Sequence, residues 1–111
     1  SSTRNKAKDS AIKLEMGQIR TAVESFALGA AGTYSGACAA GTDCQTLEDG
    51  IIKNLPTGAS GEVEGFPVAG TTYCVQYTLN DSTYWCVDST GYAGPPAVAG
   101  TCTSAVGGGK C

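Results

Sequence analysis

The sequence predicts an α+β domain in which a long N-terminal helix packs on a small antiparallel β-sheet, the whole stabilised by disulfides. Three observations carry that reading. Ile12, Met16, Ile19, Val23, Phe26 and Ala30 recur at steps of four and three, the spacing of one helical face. Thr71–Leu79 and Thr83–Asp88 are β-branched and aromatic runs around Asn80, Asp81 and Ser82, a hairpin signal. Six cysteines in 111 residues supply the cross-links that a core of this size needs beside burial.

The first element runs from Ser2 to about Leu28, with Gly29 and Gly32 ending it. Its apolar face, Ile12, Met16, Ile19, Val23 and Phe26, is the expected core surface. The stretch before that face, Ser1–Ser10, is helix-compatible but polar all round, with Arg4, Lys6, Lys8 and Asp9. The first half of the helix is therefore expected to project from the domain that its second half packs on. Thr33–Gly41 reads as an irregular loop. Thr42 and Gln45 have capping-box spacing, which predicts a short helix from Asp43 to about Asp49 broken by Gly50. Leu47, Ile51, Ile52 and Leu55 supply apolar cover, and Pro56 forbids continuation. A short edge strand is expected through Val63. In the first hairpin strand Tyr73, Val75, Tyr77 and Leu79 alternate with Thr72, Cys74, Gln76 and Thr78, so one face meets the helix stripe. From Gly91 onward glycines and prolines predict a tail without regular structure. The chain thus reads as a single domain, residues 1–111: helix over 1–30, connecting region over 31–70, hairpin over 71–90 and a cysteine-bounded tail over 91–111.

The formal charge is −3 and histidine is absent. Without histidine the usual neutral-pH base and the commonest metal ligand are gone. Asp88 and Ser89 have no such partner, Glu48 and Asp49 are adjacent and point apart on a helix, and no glycine-rich phosphate loop precedes a helix. No enzyme activity and no cofactor are expected. Positive charge concentrates in Arg4, Lys6, Lys8, Lys13 and Arg20 while acids dominate the rest, which leaves nucleic-acid binding unsupported as the domain's general role. No stretch reaches the roughly 18 to 20 apolar residues of a membrane span.

Cys38, Cys44, Cys74, Cys86, Cys102 and Cys111 have no CxxC pair among them, and their gaps match no common zinc spacing. Three disulfides formed in an oxidising compartment are expected instead. Nearest-neighbour pairing, Cys38 with Cys44, Cys74 with Cys86 and Cys102 with Cys111, closes the shortest loops. A three-residue turn would set Cys74 opposite Asp88 and Cys86 opposite Gln76, a diagonal of about 7 to 8 Å that resists bridging. A turn of two or four residues would instead put the two cysteines on opposite faces, and Cys86 with Cys102 is then the competing pair. Asn80, Asp81 and Ser82 form a glycosylation sequon as well as a good turn, and turn chemistry is the expected role. Tyr73, Tyr77, Tyr84 and Trp85 cluster in the hairpin, where alternation makes half of them core and leaves the rest as a candidate stacking surface.

The segment Arg4–Ala22, RNKAKDSAIKLEMGQIRTA, resembles the stretch of type IV pilins and type II secretion pseudopilins that follows their membrane-embedded helix half. Tyr84–Gly91, YWCVDSTG, is similar to the second sheet strand and following turn of pilin-like proteins, and the closing cysteine-bounded segment is similar to the pilin C-terminal loop. The family's leading apolar segment, with its glutamate near the mature amino terminus, is not in this sequence, so the resemblance implies the soluble part of a pilin. It further implies a structural subunit of an extracellular, cell-surface type IV pilus-like filament serving adhesion, motility or DNA uptake. The implied partners are copies of itself or other pilins, and the inner membrane before assembly. Arg4, Lys6, Lys8 and Lys13 would be the subunit contacts, pairing with Glu48, Asp49, Glu62 or Glu64 on adjoining copies. Two alternatives stand beside this one, a type II secretion pseudopilin and a secreted disulfide-rich binding module. Pseudopilins often hold calcium after the last strand, but here Asp88 is followed by STGYAGPPAVAG without another carboxylate, and no metal is expected.

Overall fold

The computed structural model describes residues 2–58, 63–67, 70–96, 102–104 and 108–111. It opens with the helix that the stripe predicts, α1, Thr3–Gly29. Ser2 caps it, its hydroxyl accepting from the Asn5 amide at 3.1 Å. At the other end the Gly32 amide returns to the Ala27 carbonyl at 2.8 Å. That closure needs two left-handed residues, Ala31 at φ 58° and Gly32 at φ 84°, and glycine meets half of the demand without a Cβ penalty. Ile12, Met16, Ile19 and Val23 are fully buried, Phe26 lies half-buried at the rim, and Ala27 closes the upper end of the core.

A second helix, α2, Asp43–Ile52, crosses α1. Thr42 caps it, accepting from the Gln45 amide at 3.2 Å. The Gln45 side chain does not complete a capping box; it donates forward to Asp49 at 3.0 Å. Gly50 does not break this helix as expected from its propensity. It sits where α2 approaches α1, and a side chain there would meet the Glu15 carboxylate. That carboxylate is the end of a flexible side chain, and α2 runs on to Ile52 despite a local glycine cost of about 1 kcal/mol.

The sheet has four antiparallel strands in the order β1-β2-β3-β4, formed by Val63–Gly65, Cys74–Thr78, Tyr84–Asp88 and Ala93–Gly94. β1 is the edge strand expected through Val63. β4 is a correction: beyond Gly91 the chain turns back and pairs Cys86 with Gly94 and Val87 with Ala93. The hairpin turn holds the three residues Asn80, Asp81 and Ser82, closed by Leu79 N–H to Thr83 O at 2.8 Å and Ser82 N–H to Leu79 O at 3.1 Å. Ser82 takes the left-handed position at φ 73°. The register is accordingly the one that a three-residue turn requires, Cys74 opposite Asp88 and Gln76 opposite Cys86.

That register decides the cross-links. Cys74 and Cys86 share the outer face of the sheet but lie diagonally, so neither bridges the other. Only Cys38–Cys44 follows the nearest-neighbour expectation. Cys74 pairs with Cys102 and Cys86 with Cys111, replacing both the Cys74–Cys86 and Cys102–Cys111 pairing and its competitor Cys86–Cys102. Each strand cysteine takes its own tail cysteine, and residues 102–104 and 108–111 are strapped to the outer face as a result. The inner face, Tyr73, Val75, Tyr77, Leu79 and Val87, packs on the α1 stripe and is fully buried. Burying each large side chain there stabilises the fold by roughly 1.5 to 3 kcal/mol before entropy is counted.

The sheet thus has helix on its inner face and, at Cys74 and Cys86, the bridged Cys102 and Cys111 on its outer face. Gly65 marks how close the tail comes: a Cβ there would lie 2.5 Å from Cys74 Sγ and 2.5 Å from the Thr103 carbonyl oxygen. No side chain fits between that strand and the strap.

Candidate functional site

The early turns of α1 do extend beyond the head, but less far than the all-polar sequence predicts. Arg4 and Lys6 are exposed and Lys8 half-buried, whereas Asp9, taken from the sequence as part of a solvated face, is only 7% exposed. Its carboxylate receives the hairpin tip: Oδ1 accepts from the Asn80 amide at 2.7 Å and from Asn80 Nδ2 at 2.9 Å, and Oδ2 from the Asp81 amide at 3.2 Å. Asn80 Nδ2 also donates to the Asn54 carbonyl beyond α2, at 2.9 Å. One carboxylate therefore ties stem, hairpin and α2 region together, and satisfies turn amides that a three-residue loop leaves open. The projecting stem ends at residue 8.

Of the cations expected to contact neighbouring subunits, Lys13 has a partner in its own chain. Its ammonium lies 4.3 Å from the Trp85 ring centroid, over the β3 face. Among the described residues Arg4, Lys6 and Lys8 form no ion pair. The acids proposed to meet them divide. Asp49 is exposed, Glu62 lies outside the described residues, and Glu64 is half-buried with Oε2 sealed from solvent. Glu48 is 1% exposed and so cannot reach another molecule. It faces inward, with Oε2 accepting from the Tyr77 hydroxyl at 3.2 Å and Oε1 lying 3.1 Å from Cys38 Sγ. Cys38, Cys44 and Glu48 bring three potential ligand atoms within 4.8 Å of one another. With the two sulfurs bonded to each other, no thiolate is available to a metal.

Asp88 illustrates the same inward use of charge. It is 4% exposed, beneath the tail. Oδ1 accepts from the Thr90 amide at 2.9 Å, the Thr90 hydroxyl at 2.6 Å and the Tyr92 amide at 3.2 Å, while Oδ2 accepts from the Cys111 amide at 2.9 Å. Both oxygens are committed to the chain's own turn and terminus. Burial pushes this carboxyl upward, but the hydrogen bonds from Thr90, Cys111 and Tyr92 outweigh it and hold the group below its ordinary 3.8. A depressed carboxyl stabilises the fold above the unfolded value of 3.8, and that contribution disappears as pH falls through the lower folded value. Acid unfolding followed by circular dichroism should therefore steepen below pH 3.8 in the native chain. Asp88→Asn should start less stable at neutral pH and decline less steeply; parallel curves would show that Asp88 is not responsible.

The aromatic candidates do not assemble into an open stacking surface. Tyr73 and Tyr77 are buried, Trp85 is half-buried beneath Lys13, and Tyr84 is exposed. Tyr73 sits edge-on to Tyr34 at 4.8 Å and stacks on Phe66 at 5.8 Å. Burial pushes its hydroxyl up to about 12, which removes it from proton chemistry near neutrality.

What the surface offers instead is a second helical stripe. Ala7, Leu14, Thr21 and Leu28, spaced by heptads on the back of α1, are all exposed, Leu14 at 66% and Leu28 at 88%. Beside it, between α1 and α2, runs an open groove of about 510 Å³ floored by Gln18, Thr21, Ala22 and Ser25. Sequence reasoning missed both features because the inner stripe accounts for the helix by itself. The heptad of small and aliphatic residues was the available signal. Among the described residues no helix is long and apolar enough to cross a membrane. Comparison with protein-family models, with curated proteins and with solved structures gives no match.

Proposed function

We propose that this chain is a structural subunit of an extracellular, pilus-like filament, acting by packing against copies of itself rather than by chemistry. One observation carries the reading: α1 presents two faces, an inner one filled by its own sheet and an outer one that exposes Leu14 and Leu28 at heptad spacing. Single exposed leucines are ordinary, whereas two in register on a helix whose other side is already packed favour a helix-to-helix contact. Arg4, Lys6 and Lys8, which form no ion pair among the described residues, support the same role, and three disulfides suit an oxidising environment. The resemblance of Arg4–Ala22 to type IV pilins gives the filament its class.

Two measurements test the reading. The reading frame upstream should encode a prepilin-type apolar segment, and electron microscopy of the source cells should show fibres containing this chain. An ordinary cleaved signal peptide in that position overturns the proposal and favours a secreted binding module. Leu14→Glu and Leu28→Glu should each change the stability of the isolated domain by no more than about 0.5 kcal/mol and yet abolish fibres. Normal fibres from both variants would show that the outer stripe is not a contact.

A further inference from the structure

We infer that the Cys38–Cys44 pair is a redox-gated metal site: once the bridge is reduced, its two sulfurs and the Glu48 carboxylate bind one divalent cation of the zinc class. The inference stands apart from the filament reading and uses none of its surfaces.

The three donors converge from two elements. Cys44 and Glu48 are four residues apart on α2, so their side chains leave one face of that helix a turn apart. Cys38 reaches the same point from the loop before α2, and all three residues are buried. The two sulfurs and a Glu48 oxygen lie within 4.8 Å of one another. A tetrahedral zinc ion, with bonds of about 2.3 Å to sulfur and about 2.1 Å to oxygen, holds its sulfurs about 3.8 Å apart and sulfur from oxygen about 3.6 Å. Glu48 Oε1 already lies 3.1 Å from Cys38 Sγ, so the parting of the two sulfurs is the main adjustment. The other oxygen, Oε2, accepts from the Tyr77 hydroxyl at 3.2 Å, the kind of outer bond that orients a metal-bound carboxylate. Three protein ligands leave one tetrahedral position for water. Two thiolates beside a carboxylate favour a soft or borderline ion over calcium or magnesium.

The site also has a way in. Cys38 lines a surface pocket of about 200 Å³ with Gly36, Ala39, Glu64 and Phe66. Glu64 adds a carboxylate to that mouth, and its Oε2 is sealed from solvent with no hydrogen-bond partner among the described residues.

The gate is the bridge itself. A dithiol supplies two electrons and two protons and leaves as its own disulfide, while Cys38 and Cys44 become thiols. A bare thiolate beside a buried carboxylate is disfavoured, so both sulfurs keep their protons until a cation arrives. Binding the ion displaces those two protons and sets two positive charges among three negative ones. The ion binds the reduced form and not the disulfide, so each state excludes the other. Cys38–Cys44 closes the shortest of the three loops, with a separation of 6 against 28 and 25, and opening it leaves both tail bridges in place.

The test uses the full chain with both tail bridges closed. Limited reduction by a phosphine, with peptide mapping of alkylated cysteines, should yield a species whose two thiols are Cys38 and Cys44. Held free of oxygen, that species is titrated with cadmium alone, and zinc is then added as competitor. A thiolate-to-cadmium charge-transfer band should saturate at one ion per chain, with two protons released, and zinc should abolish it. Glu48→Gln, of the same size, should weaken cadmium binding more than about tenfold, and Tyr77→Phe, which removes only the orienting bond, by about tenfold. Cys38→Ser/Cys44→Ser should keep the native circular dichroism and give no band. A two-thiol chain without the band, Glu48→Gln and Tyr77→Phe both binding as tightly as the native chain, or a band that persists in the double serine variant would overturn the site. A tail bridge that opens before Cys38–Cys44 would overturn the gate.

Discussion

Serine substitution of Cys86 and Cys111 together is expected to destabilise the domain by about 3.5 kcal/mol, the restriction placed on an unfolded chain by a bridge of sequence separation 25. Further loss follows from the native side, because the freed terminus withdraws the Cys111 amide from Asp88 and leaves a buried carboxylate with an unmet oxygen. Removing Cys74 and Cys102, separation 28, should cost a similar amount. Removing Cys38 and Cys44, separation 6, should cost only about 2 kcal/mol. A domain of this size has roughly 5 to 15 kcal/mol in total, so losing both tail bridges should leave it largely unfolded at ordinary temperature. Urea unfolding of the oxidised variants gives the ranking directly. If opening Cys38–Cys44 proves the most damaging, the strap across the sheet is not what holds the outer face.

The second large effect belongs to Ile19. It is fully buried, in a core cluster that also holds Tyr73, Val75 and Tyr77, and the strand carrying Val75 and Tyr77 is held by pairing and cannot collapse freely. Ile19→Ala is expected to cost about 2 to 5 kcal/mol, the transfer loss of the removed methyl groups plus the cavity left behind. Phe26→Ala should cost less, since Phe26 is only half-buried, and Leu28→Ala should fall within about 0.5 kcal/mol of the native chain. The midpoint of denaturant unfolding for the three variants tests the ordering. An Ile19→Ala midpoint equal to that of Leu28→Ala would mean that the inner stripe is not the core.

Those two expectations rest on different amounts of legibility. The helix core was readable because Ile12, Met16, Ile19 and Val23 announce a period that only one structure satisfies. The hairpin was readable from Asn80, Asp81 and Ser82, but its register was not, because turns of two, three and four residues all fit those residues and the loop length fixes every pair along both strands. Sequence failed where the deciding partner is remote. Shortest-loop reasoning favoured Cys74–Cys86, but the same register that separates those sulfurs also points both at a tail whose course no local rule supplies. Gly50 looked like a breaker because propensity cannot see α1 passing beside it. Asp9 looked solvated because nothing around it in sequence is apolar, although a three-residue turn with open amides elsewhere in the chain was a reason to look for an acceptor. Lys13 and Glu48 looked like surface charges for the same reason, and each is spoken for inside the molecule by Trp85 or by Tyr77. Of the candidate contacts, Arg4, Lys6 and Lys8 form no ion pair among the described residues.

The knot of Asp9, Asn80 and Asn54 also bears on modification. Asn80 heads the sequon Asn80-Asp81-Ser82, but in the finished fold both hydrogens of its amide nitrogen are occupied, by the Asp9 carboxylate and by the Asn54 carbonyl. A sugar joined to that nitrogen replaces one of those hydrogens, so a chain so decorated gives up either the Asp9 or the Asn54 bond of that side chain, while the Asn80 and Asp81 backbone amides keep theirs to Asp9.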